Sequence, residues 1–404
     1  MAKNPAEMFA TKYFERYKTE PKMVSTPPPD NLQIVVVIPC FDEPNIIDTL
    51  HSLDTAKSLF IGGVEVIVVV NSAENSSKES INRNKQTFEI LQKFSPNNFY
   101  LHTLLIEGVN KKYAGVGNAR KIGMDEALRR FDSLERPKGI ITSLDADCLV
   151  SEEYFTQIAT TLEEHQATTL NFSHTLPSNN TQKEACMLYE CYLRYFRIAL
   201  QQTGFPNAIH TIGSCFALKA ELYAKSGGMP RLQAGEDFYF LHKIAQITPI
   251  FKINKPLVFP SGRFSDRVPF GTGRAIDDIA SKGEYMVYPL RNFYYLKDFF
   301  RTIPQLFYAT TTDIFPHKII EFYEEKALRE KIDEVRCNTK SLEAFSKRFF
   351  SIFDAFFAIK FLNSLGKTQP ILEACREILT INGISFENNL KDIFTKITKF
   401  DQSL

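Results

Sequence analysis

Four short apolar runs constrain this chain more than any other feature. They are Leu32 to Ile38, Val64 to Val70, Tyr100 to Ile106 and Gly139 to Leu144. Stretches with helical character separate them. Ile46, Ile47, Leu50 and Leu53 follow the first run, a charged segment ending near Phe94 follows the second, and a segment reaching Phe131 follows the third. The first run, rich in β-branched residues, reads as a strand buried on both faces, the second as another buried strand, and the third and fourth as further strands of the same sheet. Strands alternating with helices are the signature of a parallel, doubly wound sheet. Its crossovers are right-handed, and ligands bind in the crevice beyond the carboxyl ends of the strands.

Polar groups stand at three of those ends. Pro39-Cys40-Phe41-Asp42-Glu43-Pro44 stops the first run, Asn71-Ser72 the second and Asp145-Ala146-Asp147 the fourth. Pro44 suits the first turn of the next helix, with Asp42 or Glu43 as its cap. Side chains alternate along a strand, so Asp145 and Asp147 project to one side. Two carboxylates on one side repel each other and cost desolvation unless a cation neutralises them. A hard divalent ion would do so, and its spare coordination positions could hold a diphosphate. A solvated surface turn would also accept the same three residues.

The remaining motifs lie between and after the strands. Ala114-Gly115-Val116-Gly117-Asn118-Ala119-Arg120 opens a helix, and its glycines allow the backbone to approach another group closely. Helices are expected over 152–165 and 183–202. Strands are expected over 168–173 and 212–218, with two short ones near Ile250 and Val258. Gly235-Glu236-Asp237 opens a further helix, where carboxylates also suit the helix dipole. Arg263, Arg267 and Arg274 stand in a glycine-bearing loop that reads equally as a phosphate lid or an ordinary basic loop. The expected domains are a lead-in helix and proline-rich linker at 1–31, a nucleotide-binding α/β domain at 32–284 and a helical region at 285–404.

Bulk composition excludes several classes. With 48 Lys and Arg against 47 Asp and Glu, the net charge of +1 gives no reason to propose a nucleic-acid partner. Seven scattered cysteines with no C-x-x-C argue against a disulfide framework or zinc site, and for a reducing compartment. The start opens no long apolar segment, so no signal peptide is expected. No stretch of about 20 apolar residues is present to span a bilayer. The expected location is cytoplasmic, with peripheral contact at the inner face of a membrane left open. A phenylalanine-rich stretch at 348–357 could meet such an interface, although packing within the fold is the commoner use of such a face.

Taken in order, Val-Val-Val-Ile-Pro-Cys-Phe-Asp-Glu at 35–43, Gly117-x-Ala119-Arg120, Asp145-x-Asp147 and Gly235-Glu236-Asp237 resemble the inverting GT-A glycosyltransferases of family two. The resemblance spans roughly Leu32 to Arg274. It implies a GT-A fold, a mixed sheet flanked by helices, here with a C-terminal helical extension. It implies transfer of a sugar from a nucleotide-diphosphate sugar to an acceptor hydroxyl, the acceptor being a free glycan or lipid-linked. Laid onto matching positions, it makes Pro39, Asp42, Glu43, Asn71, Arg120 and Asp145 nucleotide-sugar contacts, joined by Arg263 and Arg267. Asp147, with Asp145, would ligate Mg²⁺ or Mn²⁺. Asp237 would be the general base, with Glu236 beside it.

One departure bears on the donor. Where the family carries paired aspartates after the second strand, this chain has Asn71-Ser72. A uridine donor is the default, and guanosine and thymidine donors stay open. A nucleotidyltransferase making nucleotide sugars is a rival, but that class places a glycine-rich loop where Pro39 to Glu43 stand. A non-catalytic sugar-nucleotide binder is a second rival, against which the retained Asp145, Asp147 and Asp237 argue. A retaining mechanism would use the same metal motif.

Overall fold

In the computed structural model, the four apolar runs are the parallel half of one eight-stranded sheet. The structure describes residues 8–264, 272–308 and 315–404. These group into two compact units: residues up to Thr175 with His210–Ser261, and Leu176–Ile209 with Gly262–Leu404.

The first unit begins with helix α1 (Thr11–Arg16). It continues through β1 (Leu32–Cys40), α2 (Ile46–Ser58), β2 (Gly63–Ala73), α3 (Lys78–Lys93), β3 (Tyr100–Val109), α4 (Val116–Ser133) and β4 (Ile140–Ser143). Then come β5 (Leu149–Val150), α5 (Tyr154–Glu164) and β6 (Ala167–Phe172). After α6 (Asn180–Gln202), which belongs to the second unit, it resumes with β7 (Phe216–Lys219), α7 (Ala220–Ser226), α8 (Glu236–Ile247) and β8 (Phe251–Phe259). The sheet order is β3-β2-β1-β4-β7-β6-β8-β5.

Strands β3, β2, β1 and β4 run parallel; β1, β2 and β4 are buried on both faces, whereas β3, at the edge, is only partly covered. Val35 to Ile38 and Val66 to Val70 are fully buried. Strand β7 runs antiparallel to both β4 and β6, which makes the sheet mixed. The reversal has a direct effect on the site. It lays the residues entering β7 beside the residues leaving β4.

Several local expectations change. The strand expected over 212–218 is shorter, because a turn from Ile212 to Cys215 (N–H to carbonyl, 2.9 Å) precedes β7. The two short strands near 250 and 258 are one strand, β8, paired with β6 along most of its length. Neither β5 nor α7 was anticipated: two residues and two helical turns leave little periodicity to read. The lead-in helix is short, and its segment is tied along α4. Ala10 N–H donates to Asp132 (2.9 Å), Tyr13 to Asp125 (2.5 Å), and Met23 and Val24 N–H to Glu126 (3.2 and 3.1 Å). Arg129 and Arg130 return bonds to the carbonyls of Glu20 and Thr26 (2.6 and 3.0 Å). Covered by this strap on one side and the sheet on the other, α4 is buried almost throughout.

In the second unit, α6 is joined by α9 (Thr272–Lys282), β9 (Met286–Val287), α10 (Leu290–Arg301), α11 (Ile303–Tyr308), α12 (His317–Tyr323) and α13 (Glu325–Cys337). The remaining elements are α14 (Leu342–Ile352), α15 (Ala355–Leu365), β10 (Gln369–Pro370), α16 (Ile371–Ile381) and α17 (Leu390–Ser403). Arg194 on α6 is fully buried between Glu190 (2.6 Å) and Asp401 of α17 (2.8 Å), and Arg197 pairs with Asp401 as well. Phe349, Phe353 and Phe357 are packed against Phe299 with ring centroids 5.1–5.9 Å apart, so this aromatic run is core. Among the described residues, no helix is long and apolar enough to cross a membrane.

Candidate active site

The residues beyond β1 and β2 are pinned by one buried amide that the sequence did not flag. Asn84 of α3 accepts from Asp42 N–H (2.8 Å) and donates to the Asn71 carbonyl (2.9 Å). It thereby fixes the end of β1 against β2 at a point where Asp42 adopts φ +52°, a left-handed conformation that aspartate tolerates. The Asp42 carboxylate is held in a fork by Arg83, with one arm at 2.5 Å, and accepts from Ser80 (3.2 Å). Glu43 is buried and caps Asn45 N–H (2.9 Å). Pro39 lies inside β1, paired with Val69. Asn71 is buried, and β2 runs two residues beyond it to Ala73.

The second cluster forms around Arg120, in the second turn of α4 and only 3% exposed. Its Nε donates to Ser143 Oγ of β4 at 3.0 Å. Its Nη2 donates to Asp145 and its Nη1 to Glu236. Each nitrogen of the guanidinium thus has a protein acceptor. Glu236 is 1% exposed, so its carboxylate is spoken for by Arg120. The Asp145 side chain remains 37% exposed, and Asp147 is half-buried.

Glycines make this convergence possible. A Cβ on Gly213 would overlap the Arg120 guanidinium. One on Gly115 would stand 2.7 Å from the Gln233 backbone, and one on Gly117 would stand 2.9 Å from Glu236 Cβ. The close approach expected at the start of α4 is therefore an approach to the segment that carries Glu236 and Asp237. Gly235 caps α8 at φ +73°, a left-handed position that favours glycine.

Asp237 follows Glu236 on the first turn of α8, half-buried, and accepts from Phe238 N–H (2.8 Å). Burial raises its proton affinity above the ordinary carboxylate value; Arg120 opposes the rise and Asp145 adds to it. Beneath the aspartates, burial also pushes the thiol of Cys148 well above its usual value and that of Cys215 up to about 12. Both are inert thiols at neutral pH.

The glycosyltransferase like family 2 matches residues 28–244, more than half of the chain. The chain belongs to that family. No curated protein matches it. Among solved structures, S. aureus TarS 1–349 in complex with UDP-GlcNAc is similar at 16% identity, over 92% of this chain and 90% of that one, with a TM-score of 0.39. The mannosyltransferase PcManGT from Pyrobaculum calidifontis, in complex with GDP-Man and Mn²⁺, is similar at 13% identity, over 99% and 93%, with a TM-score of 0.35.

In this glycosyltransferase the mixed sheet flanked by helices is the expected GT-A fold. The structure brings Arg120, Asp145, Glu236 and, through its neighbour, Asp237 into one cluster, while Asp42, Glu43 and Asn71 form another at the β1 and β2 ends. Arg263 falls in the second unit, and Arg267 lies outside the described residues. Ser143, Gly213, Arg83 and Asn84 were not anticipated as site residues. Gly213 had carried a signal, since glycine within an apolar strand pattern marks a close backbone approach. Asn84 carried none, being one polar residue in a polar helix.

Strand β4 ends at Ser143, so Asp145 and Asp147 lie in the turn beyond it, closed by Cys148 N–H to the Asp145 carbonyl (3.1 Å), rather than alternating on the strand. Two carboxylates there remain a donor type suited to Mg²⁺ or Mn²⁺, which takes one or two carboxylates and completes its shell with phosphate oxygens and water. Arg120 uses one oxygen of Asp145, which leaves the other. Among the described residues, no group of three or more His, Cys, Asp or Glu is gathered to hold an ion alone.

Proposed function

We propose that this glycosyltransferase moves a sugar from a nucleoside-diphosphate donor to an acceptor hydroxyl with inversion. Asp147 and Asp145 would hold a divalent ion, and Asp237 would act as base. The observation that carries this reading is the joining of Asp145 to the Glu236-Asp237 turn through Arg120. It brings the candidate metal-binding acid and the turn of the candidate base into one cluster.

A bound Mg²⁺ or Mn²⁺ would supply neutralisation of the diphosphate charge. The chain's own residues do the rest. Asp237, kept partly desolvated, takes the proton of the acceptor hydroxyl. The freed oxygen forms its bond to the anomeric carbon as the bond to the diphosphate breaks, and that electron pair leaves with the diphosphate. Attack from the face opposite the leaving group inverts the centre. Asp42 and Asn71, pinned by Asn84, would line the nucleotide end with Glu43, with uridine as the default base.

Asp237→Asn is expected to cut kcat by about 100-fold or more while leaving metal-dependent binding of nucleoside diphosphate intact. Asp147→Ala is expected to abolish both. Titration calorimetry with Mn²⁺ or chelator separates the two, and product NMR reads the anomeric configuration. Full turnover in Asp237→Asn removes it as the base. The same product anomer as the donor removes inversion.

A further inference from the structure

We infer that Arg120 is a positioning residue that sets the spacing between the two halves of the site, rather than a contact to the nucleotide. The inference rests on the reading above and deepens it. The guanidinium is planar, and its three nitrogens donate to three residues on two segments: Ser143 and Asp145 at and just beyond the end of β4, and Glu236 on α8. A rigid fork with three fixed directions sets the angles between those segments; a lysine ammonium, a point charge on a flexible stem, cannot. The group is 3% exposed, and the Gly213 backbone lies so close to the guanidinium that no Cβ would fit between them. Little of its surface is left for a ribose or base.

Two asymmetries give the arrangement its consequence. Glu236 is buried, with Arg120 as its cation, whereas the Asp145 side chain keeps 37% of its surface open. The buried end therefore anchors and the open end presents. Glu236 and Asp237 are also adjacent on the first turn of α8, so any shift of Glu236 moves Asp237 with it. Through Arg120, the position of Asp145 and that of Asp237 become one variable.

The test uses the full chain and three variants, with UDP, GDP and Mn²⁺ as binding probes. Partners of this kind cost about 10–100-fold in metal affinity or activity when removed. Arg120→Lys, which keeps the charge and loses the fork, is expected to weaken Mn²⁺-dependent nucleotide binding about tenfold and to lower kcat by about 100-fold. Glu236→Gln is expected to lower kcat by about tenfold or more, with nucleotide affinity within about threefold of the parent. The split between the two variants separates an anchor on the base side from a general loss of fold. Because Arg120→Ala leaves Glu236 buried without its cation, its melting temperature is recorded, and guanidinium ion is added at millimolar concentration. Partial recovery of turnover supports the inference. If Arg120→Lys retains both binding and kcat, or Glu236→Gln weakens binding as much as turnover, the inference is wrong. If the parent chain shows neither metal-dependent binding nor transfer, the functional reading fails instead.

Discussion

Asp237 ties proton chemistry to stability with opposite signs. Burial raises its folded pKa above the value of an unfolded aspartate. The protonated form is thus relatively favoured in the fold, and this contribution to stability is lost as pH rises through the folded pKa. As the proposed base, Asp237 would be needed as the carboxylate, so kcat/KM would fall as pH drops through the same raised value. A pH–rate profile should show an acidic limb above the ordinary aspartate range, and Asp237→Asn should remove it. Gly213 offers a second test at this scale. A methyl group there must displace Arg120, so Gly213→Ala is expected to destabilise the chain by about 1–3 kcal/mol in urea unfolding, as overpacked sites do. It should also lower kcat by about 100-fold through misplacement. If Gly213→Ala behaves as the parent, the close packing over Arg120 has no functional weight. Sequence alone singled out Asp145, Glu236 and Asp237 as candidates because acids at strand ends and helix starts are conspicuous. It did not pair Arg120 with them, since three hydrogen bonds from one guanidinium leave no periodic trace.

Helix α4 carries the most information among the elements. Its N-terminal turns deliver Arg120, and its remaining length is held by the strap from residues 8–26. Glu126 is 2% exposed and accepts from two consecutive main-chain N–H groups of that strap. Glu126→Ala leaves those donors without their partner, and a loss of about 1–3 kcal/mol is expected by urea unfolding. No change at all would mean that the strap contributes nothing to α4. The parallel strands and the helices between them were legible because hydrophobic period and length agree there. The strap was read only as a lead-in, because its anchors are backbone N–H groups, which every sequence has. Strand β7 was misplaced for a related reason: Ile212 to Cys215 is apolar like a strand but turns beneath Arg120.

For the molecule as a whole, the two units are interleaved in sequence: 176–209 leaves the first unit for the second, and 210–261 returns. An excised 32–284 fragment would therefore contain α6 without α17. Arg194 and Arg197, both buried, would lose Asp401. It would also lack the strap. The fragment is expected to be poorly folded, and Asp401→Ala in the full chain to cost about 3–5 kcal/mol, as breaking a buried ion network does. Circular dichroism melts of both check this, and a cooperative melt of the fragment at the parent temperature would overturn it. The helical C-terminal region was legible in outline from its spacing. Its bond to α6 was not, because Arg194 and Asp401 are 207 residues apart.

The antiparallel entry of β7 also has a kinetic consequence. Strands β1, β2 and β3 and the helices between them can pair with near neighbours in the chain. Arg120 meets Glu236 across 116 residues, and only after β7 has turned back along β4. Contacts of such separation form late, because loop closure must precede them. A refolding chain should therefore regain its helical signal before it regains turnover, with the candidate cluster around Arg120 among the last parts to assemble.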